Sequence, residues 1–214
     1  TGMTTMTTRD FNPPTKISRR RFGQLLGLSG AALALPWRVE AQGDAETLVF
    51  ALPGLVGNFE PHTWVGFGDT VHVMDTAARG LTHMNFSDPL PKPAIAESWT
   101  ISDDGRTYDF RIREGLTFHD GTAIDAAAVL RTFRRMIDED DPTRPELSFA
   151  LDNLGGDNVT GFEAADAMTF RITLANPDAA ILGRLSRPDM VIVSPAALEE
   201  HGQEIGLNFV SCGP

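Results

Sequence analysis

Ala94–Met136, AIAESWTISDDGRTYDFRIREGLTFHDGTAIDAAAVLRTFRRM, decides how the rest of the chain is read. Within Thr107–Arg113, Tyr108, Phe110 and Ile112 fall on one side and Thr107, Asp109, Arg111 and Arg113 on the other. That period of two predicts a half-buried strand. Asp104-Gly105 is a tight-turn signal, and Trp99-Thr-Ile101 upstream supplies the partner strand, with Trp99 expected in the core. His119-Asp120-Gly121 marks a second turn. Asp125 then caps a predicted helix on which Val129, Leu130, Phe133, Met136 and Ile137 recur at helical spacing.

This run resembles the signature of the extracellular solute-binding proteins of the peptide/nickel class, the capture subunits of ABC importers. The residues that carry the resemblance are Ala96, Ser98, Trp99, Ser102, Asp104, Gly105, Tyr108, Phe110, Arg113, Phe118, Asp120 and Gly121. Ile112 and Leu116 stand where that family usually has Leu and Val. These positions read as turns, caps and core, so the stretch identifies a family without being its ligand site.

On either side, composition narrows the classes. The 214 residues suffice for one or two domains with a real core. Formal net charge is −11; the segment before Gln42, with six Lys/Arg and two Asp/Glu, contributes +4, so the remainder carries −11 − 4 = −15. A body this acidic is a poor partner for nucleic acid or anionic membranes. The single cysteine, Cys212, excludes an internal disulfide and a Cys-based metal cluster.

Near the start, Ser18-Arg19-Arg20-Arg21-Phe22 leads into an apolar run, Leu25–Leu35, and Val39-Glu-Ala41 fits a small-x-small cleavage site. This order resembles a twin-arginine export signal over 1–41. The apolar run is too short to span a bilayer, which needs about 20 residues. Residues 46–52 read as a buried strand. The loop after it ends in Phe59-Glu60-Pro61-His62-Thr-Trp64, which keeps the Pro-His of the family's corresponding segment. Loops after strands at the carboxyl end of an open sheet hold ligands. Trp64 is a candidate ligand contact, its alternative a half-buried core tryptophan; His62 reads as a turn histidine bonded to local backbone.

Asp69–Leu81 reads as a helix with Val71, Met74, Ala78 and Leu81 on one face and Gly80 closing it. His83 and Met84 then fall on a loop, two residues that make no metal site by themselves. The Pro-rich stretch through Pro89, Pro91 and Pro93 is a connector. Asp138-Glu-Asp-Asp141 lacks the alternating ligands and closing Glu of a calcium loop and reads as a solvated helix end. Phe149 stands where the family presents an aromatic toward its cleft, core packing being the alternative. Phe170, Ile172 and Leu174 alternate as a strand, Asn176-Pro177 is expected to open a helix, and Ser186-Arg187-Pro188 to end it. Met190–Val193 is expected as a short buried strand, with Ser194-Pro195 opening the next helix toward His201-Gly202. Val210–Pro214 resembles the family's Val-Gly-Thr-Gly-Pro turn, with Ser211 and Cys212 replacing Gly and Thr.

Nucleotide-binding glycine loops, a zinc-protease helix and a serine-nucleophile elbow are all missing from the sequence. No catalytic residue, metal or cofactor is expected. The resemblance implies an α/β, type II-like periplasmic binding-protein fold. Residues 42–85 start the first-lobe main sheet, 86–189 form an inserted α/β subdomain, and 190–214 return to that sheet in an N-terminal fragment of a two-lobed protein. It implies a peptide, a nickel chelate or a similar small solute as ligand, ABC permease subunits as partners, a monomer when full length, and the periplasm, at the inner-membrane transporter, as location. Arg187, suited to bidentate capture of a carboxylate, is the third candidate contact after Trp64 and Phe149, its alternative an exposed helix-end arginine favoured by the helix dipole. The alternative reading is a secreted, twin-arginine-exported enzyme bearing a cofactor.

Overall fold

The computed structural model describes residues 58–63, 74–85, 87–146 and 148–213. The export signal, the strand at 46–52, Trp64 and the first half of the 69–81 helix lie outside the described residues. Those described belong to one compact unit.

The hairpin forms as its pattern predicts. β3 (Ala96–Ile101) pairs antiparallel with β4 (Thr107–Ile112), with Trp99 opposite Phe110. Gly105 takes φ 68° in the turn and donates its N–H to the Ser102 carbonyl, a left-handed conformation that a side chain would strain. Asp104 fixes the turn by accepting from the Ser102 hydroxyl and the Arg106 N–H. Two later strands, β5 (Val159–Asp166) and β6 (Thr169–Leu174), complete a four-stranded sheet of order β3-β4-β6-β5, all antiparallel. Before it, β1 (Thr82–Asn85) and β2 (Asp88–Pro93) form a separate two-stranded ribbon. The expected loop at His83 and Met84 is thus a strand, and the Pro-rich connector is its partner. A ribbon has only edge strands, where proline is tolerated.

One face of the four-stranded sheet is apolar and the other polar. Tyr108, Phe110, Ile112, Phe170, Ile172 and Leu174 are buried beneath α1 (Ala126–Ile137). Asp125 caps α1 by accepting the Ala128 N–H at 2.8 Å. Phe133 on α1 meets Phe170 at 4.9 Å and Phe162 at 5.1 Å between ring centroids, within the range where aromatic pairs attract. On the opposite face Arg171 forks onto Asp109 and also reaches Glu163. Trp99 is half-buried rather than a core residue, because β3 is the sheet's edge and only Phe110 and its neighbours back the ring. Ile137, at the last turn of α1, is 41% exposed and stands off the buried face.

Short elements complete the unit: α2 (Ala150–Leu154), α3 (Ile181–Arg184), α4 (Pro195–His201), and 3-10 turns at Pro61–Thr63 and Pro188–Met190. Ser194 caps α4 and Gly202 ends it at φ 56°, both as expected. Asn176 does not cap a helix. Its N–H bonds the Asn158 side chain, and α3 starts only at Ile181, after Asp178 has accepted the Ala180 N–H.

Met190–Val193 is buried but is not a strand. Ile192 donates to Arg79 and Ser194 to Val210. Between them both backbone groups of Val193 are taken by the Thr132 hydroxyl, at 3.1 and 3.2 Å. A side chain from α1 thereby satisfies what a neighbouring strand would have satisfied. Gly80 does not close a helix either. Helical residues end at Ala77, and the carbonyls of Arg79, Gly80 and Leu81 accept the N–H groups of Ile192, Ile95 and Ala96. A Cβ on Gly80 would lie 2.8 Å from the carbonyl oxygens of both Leu185 and Met190. The residue is glycine because two carbonyls crowd it.

Candidate functional site

Three short elements meet around the candidate contacts: Pro61–Thr63, α2 and Pro188–Met190. Phe149 is the residue before α2; it is half-buried, and its N–H donates to the His62 carbonyl at 3.1 Å. One helical turn on, Asn153 donates its own N–H to the Phe149 carbonyl at 2.9 Å and its side-chain amide to Asp189 at 2.6 Å. Asp189 is 1% exposed. Arg187 grips the same carboxylate with Nε at 2.9 Å from Oδ1 and Nη2 at 3.1 Å from Oδ2. Two of the three candidates, Phe149 and Arg187, are therefore joined through one chain of hydrogen bonds. The third, Trp64, lies outside the described residues.

The Arg187 side chain is 40% exposed while its partner is buried. A buried carboxylate left alone is costly, so its fork is part of the fold as well as a cation facing solvent. Pro188 follows directly and, with the Met190 N–H bonded to the Arg187 carbonyl, makes the turn tight.

Beside this cluster lies a network that the sequence reading missed. Arg135 on α1 is fully buried and forks onto Glu60, at 3.0 Å to each oxygen. It also donates to the Thr143 carbonyl and lies 3.4 Å from His62 Nδ1. His62 is itself fully buried, its N–H held by Glu60 at 3.0 Å, and its Nε2 has no hydrogen-bond partner among the described residues. The expected bond from His62 to local backbone does not form: among the described residues its ring meets only the Arg135 guanidinium in hydrogen-bond range, across 73 positions of sequence. Burial, and then the Arg135 charge, hold the His62 pKa well below 6.5. The signal was present in α1: Arg135 lies seven residues after Ala128 and three after Thr132, on the inward face.

The other titratable groups serve the scaffold. In the acidic stretch after α1, Asp141 accepts from Thr143 and from both terminal nitrogens of Arg131. Burial pushes its pKa up, but these bonds prevail and hold it below the usual carboxylate value. No group of three or more His, Cys, Asp or Glu able to hold a metal ion occurs among the described residues. In the signature, Asp120 takes the Ser194 hydroxyl and both Thr122 donors, and Gly121 adopts φ 84°. His119 donates its N–H to Ser211 at 2.9 Å. Cys212 is buried, which pushes its thiol up to about 11 and keeps it protonated and inert. None of the helices among the described residues is long and apolar enough to cross a membrane.

Comparison with known proteins places this scaffold. The family model of bacterial extracellular solute-binding proteins, family 5 (middle part), matches residues 91–214, more than half of the chain. The glutathione-binding protein GsiB of Escherichia coli is 42% identical over 123 residues, which is 58% of this chain and 23% of that protein. Among solved structures, the periplasmic binding protein DppA of Helicobacter pylori, in complex with peptide STSA, superposes with a TM-score of 0.65. It is 26% identical, over 74% of this chain and 34% of that one. AgaA of A. tumefaciens R10, in complex with agropinic acid, gives 0.59 at 26% identity, over 75% and 31%. The chain thus spans under a quarter of the curated relative and about a third of each structure.

Proposed function

The chain belongs to the bacterial extracellular solute-binding proteins of family 5 and has their α/β, type II-like periplasmic binding-protein fold, and from that premise we propose that it is part of the capture subunit of an ABC importer. The observation that carries the proposal is the family match over 91–214 on a scaffold whose signature residues are turns, caps and core. Relatives of this kind are named for glutathione and are solved with a peptide or agropinic acid. A peptide, glutathione or another small solute, nickel chelates included, is the ligand class we assign. Trp64, Phe149 and Arg187 are the contacts we assign to this part of the protein.

The proposed organisation keeps residues 86–189 as the inserted subdomain, with 42–85 and 190–214 in the main-sheet part of the first lobe. The antiparallel sheet, which lies wholly within Ala96–Leu174, supports that division. In this reading the protein is a monomer, exported to the periplasm by the twin-arginine signal at Arg19-Arg20, and hands its solute to permease subunits at the inner membrane. It performs no catalysis. The relatives, named as binding proteins, give the alternative of a cofactor-bearing enzyme no support.

The test is solute capture by the full-length protein that carries this chain. Native mass spectrometry of protein purified from periplasm should show one co-purified small solute per chain. Calorimetry against glutathione and a panel of di- to pentapeptides should then reproduce saturable binding. Protein that arrives empty and binds nothing in the panel would falsify the reading.

A further inference from the structure

We infer that the cavity between the foot of the β1–β2 ribbon and the start of β3 is a binding site for a small organic anion, whose charged head Arg79 and His83 hold. Neither Phe149 nor Arg187 lines this cavity, and the inference does not rest on the capture reading.

The cavity has a volume of about 330 Å³, at the small end of the range for ligand sites. Backbone bonds hold its walls together: Ile192 donates to the Arg79 carbonyl at 3.0 Å and Ile95 to the Gly80 carbonyl at 3.3 Å. Pro93, Ile95 and Leu116 make one side apolar, while Arg79, His83 and Cys212 supply the polar groups. Burial outweighs the nearby Arg79 charge at the Cys212 thiol, so that thiol stays neutral and adds no negative charge to the wall.

The two basic side chains are half-buried and uncommitted. Arg79 Nη1 donates to the backbone carbonyls of Asp75 and Ala78, and no carboxylate among the described residues pairs with its charge. The His83 ring makes no hydrogen bond or ion pair among the described residues, yet a neutral imidazole always keeps one N–H to donate.

Charge sets this cavity apart. The chain after residue 41 carries −15, and three other cavities carry carboxylates: Glu139, Asp141 and Glu146 in one, Asp109 and Asp166 in a second, Glu60 and Glu146 in a third. The cavity at Arg79 has no Asp or Glu among its described lining residues. An anion repelled by most of the surface meets here a guanidinium and an imidazole without a counter-charge, where charge-assisted hydrogen bonds are strong. The apolar wall opposite asks for a short hydrocarbon body behind the head.

The probes are butyrate, its neutral isostere butyramide, and acetate, which keeps the head and loses most of the body. Each is titrated into the full-length protein that carries this chain, and the methyl NMR signals of Ile95 and Leu116 report occupancy. Butyrate should shift both signals saturably and bind about tenfold tighter than either of the others. Arg79→Gln should abolish the preference for butyrate over butyramide, and Arg79→Lys, which keeps the charge, should retain most of it. His83→Leu removes a ring that has no described partner to lose. It should weaken butyrate several-fold with the melting temperature and the affinity for the solute panel unchanged. Signals unmoved by butyrate, equal binding of butyramide, or butyrate binding untouched by both Arg79→Gln and His83→Leu overturns the inference. Protein that binds butyrate here and nothing in the solute panel defeats the capture reading alone; the reverse result defeats this inference alone.

Discussion

His62 shows how one buried side chain links structure to conditions. The ring sits without exposure, its Nδ1 beside the Arg135 guanidinium and its Nε2 unpartnered. Protonation there would place a second cation in a site whose one carboxylate, Glu60, already neutralises Arg135. The folded state therefore lowers the His62 pKa, while the unfolded chain keeps it near 6.5. Below about 6.5 the unfolded chain binds a proton that the folded one refuses, so this contribution is fully present above 6.5 and declines as pH falls. Asp109 and Asp141 have folded pKa values below 3.8, so their own losses begin in a lower window. Urea unfolding from pH 8 to 5 should show stability falling from about pH 6.5 downward. His62→Phe should flatten that segment and leave the decline below pH 4 in place. An unchanged slope in the variant would move the titrating group elsewhere.

Local pattern made the elements legible where local forces decide them. The alternation at 107–113, the Asp104-Gly105 turn, the Asp125 cap and the Ser194–Gly202 limits of α4 all appear as read. Each is fixed by residues within a few positions of one another. The errors fall where a distant group intervenes. Gly80 is crowded by Leu185 and Met190, about a hundred positions away, and Met190–Val193 loses its ladder to a hydroxyl on α1. Arg135 was missed because a charge on an apolar face is discounted unless its carboxylate is known to be at hand. At the candidate site, Arg187 and Phe149 were named from the family pattern, whereas Asp189 and Asn153, which tie them together, were not. Pairing across 36 positions leaves no periodic trace. The Thr132 bridge gives the sharpest check on this account. Thr132→Val keeps volume but leaves the buried N–H and C=O of Val193 without their partner, which costs about 1–3 kcal/mol. Thr132→Ser, which retains the hydroxyl, should recover most of it by the same urea titration. A neutral Thr132→Val would mean that Val193 finds other partners.

The core ignores the order in which the segments occur along the chain. Leu81 from just before β1, Ile95 from just before β3, Phe110 from β4, Phe133 from α1, Leu185, and Met190, Ile192 and Cys212 near the end all share one apolar cluster. Two smaller clusters flank it, one around Val193, Leu198 and Ile205, the other around Met74, Ala78 and Val191. Val210 packs against both the main cluster and that of Val193, so even the satellites are bridged. Side chains that share one close-packed interior lose their contacts together, and that is the physical source of all-or-none unfolding. Residues 86–189 and 190–213 should thus melt as one body even though they are assigned here to different parts of a lobe. Far-UV and near-UV circular dichroism of the chain should give coincident thermal transitions. Phe133→Ala removes the ring that joins α1 to Phe162 and Phe170, and should lower stability by about 3–5 kcal/mol while shifting both signals equally. Two separated transitions, with only the earlier one moved by Phe133→Ala, would show that the inserted subdomain has a core of its own and that Met190, Ile192 and Cys212 merely lie against it.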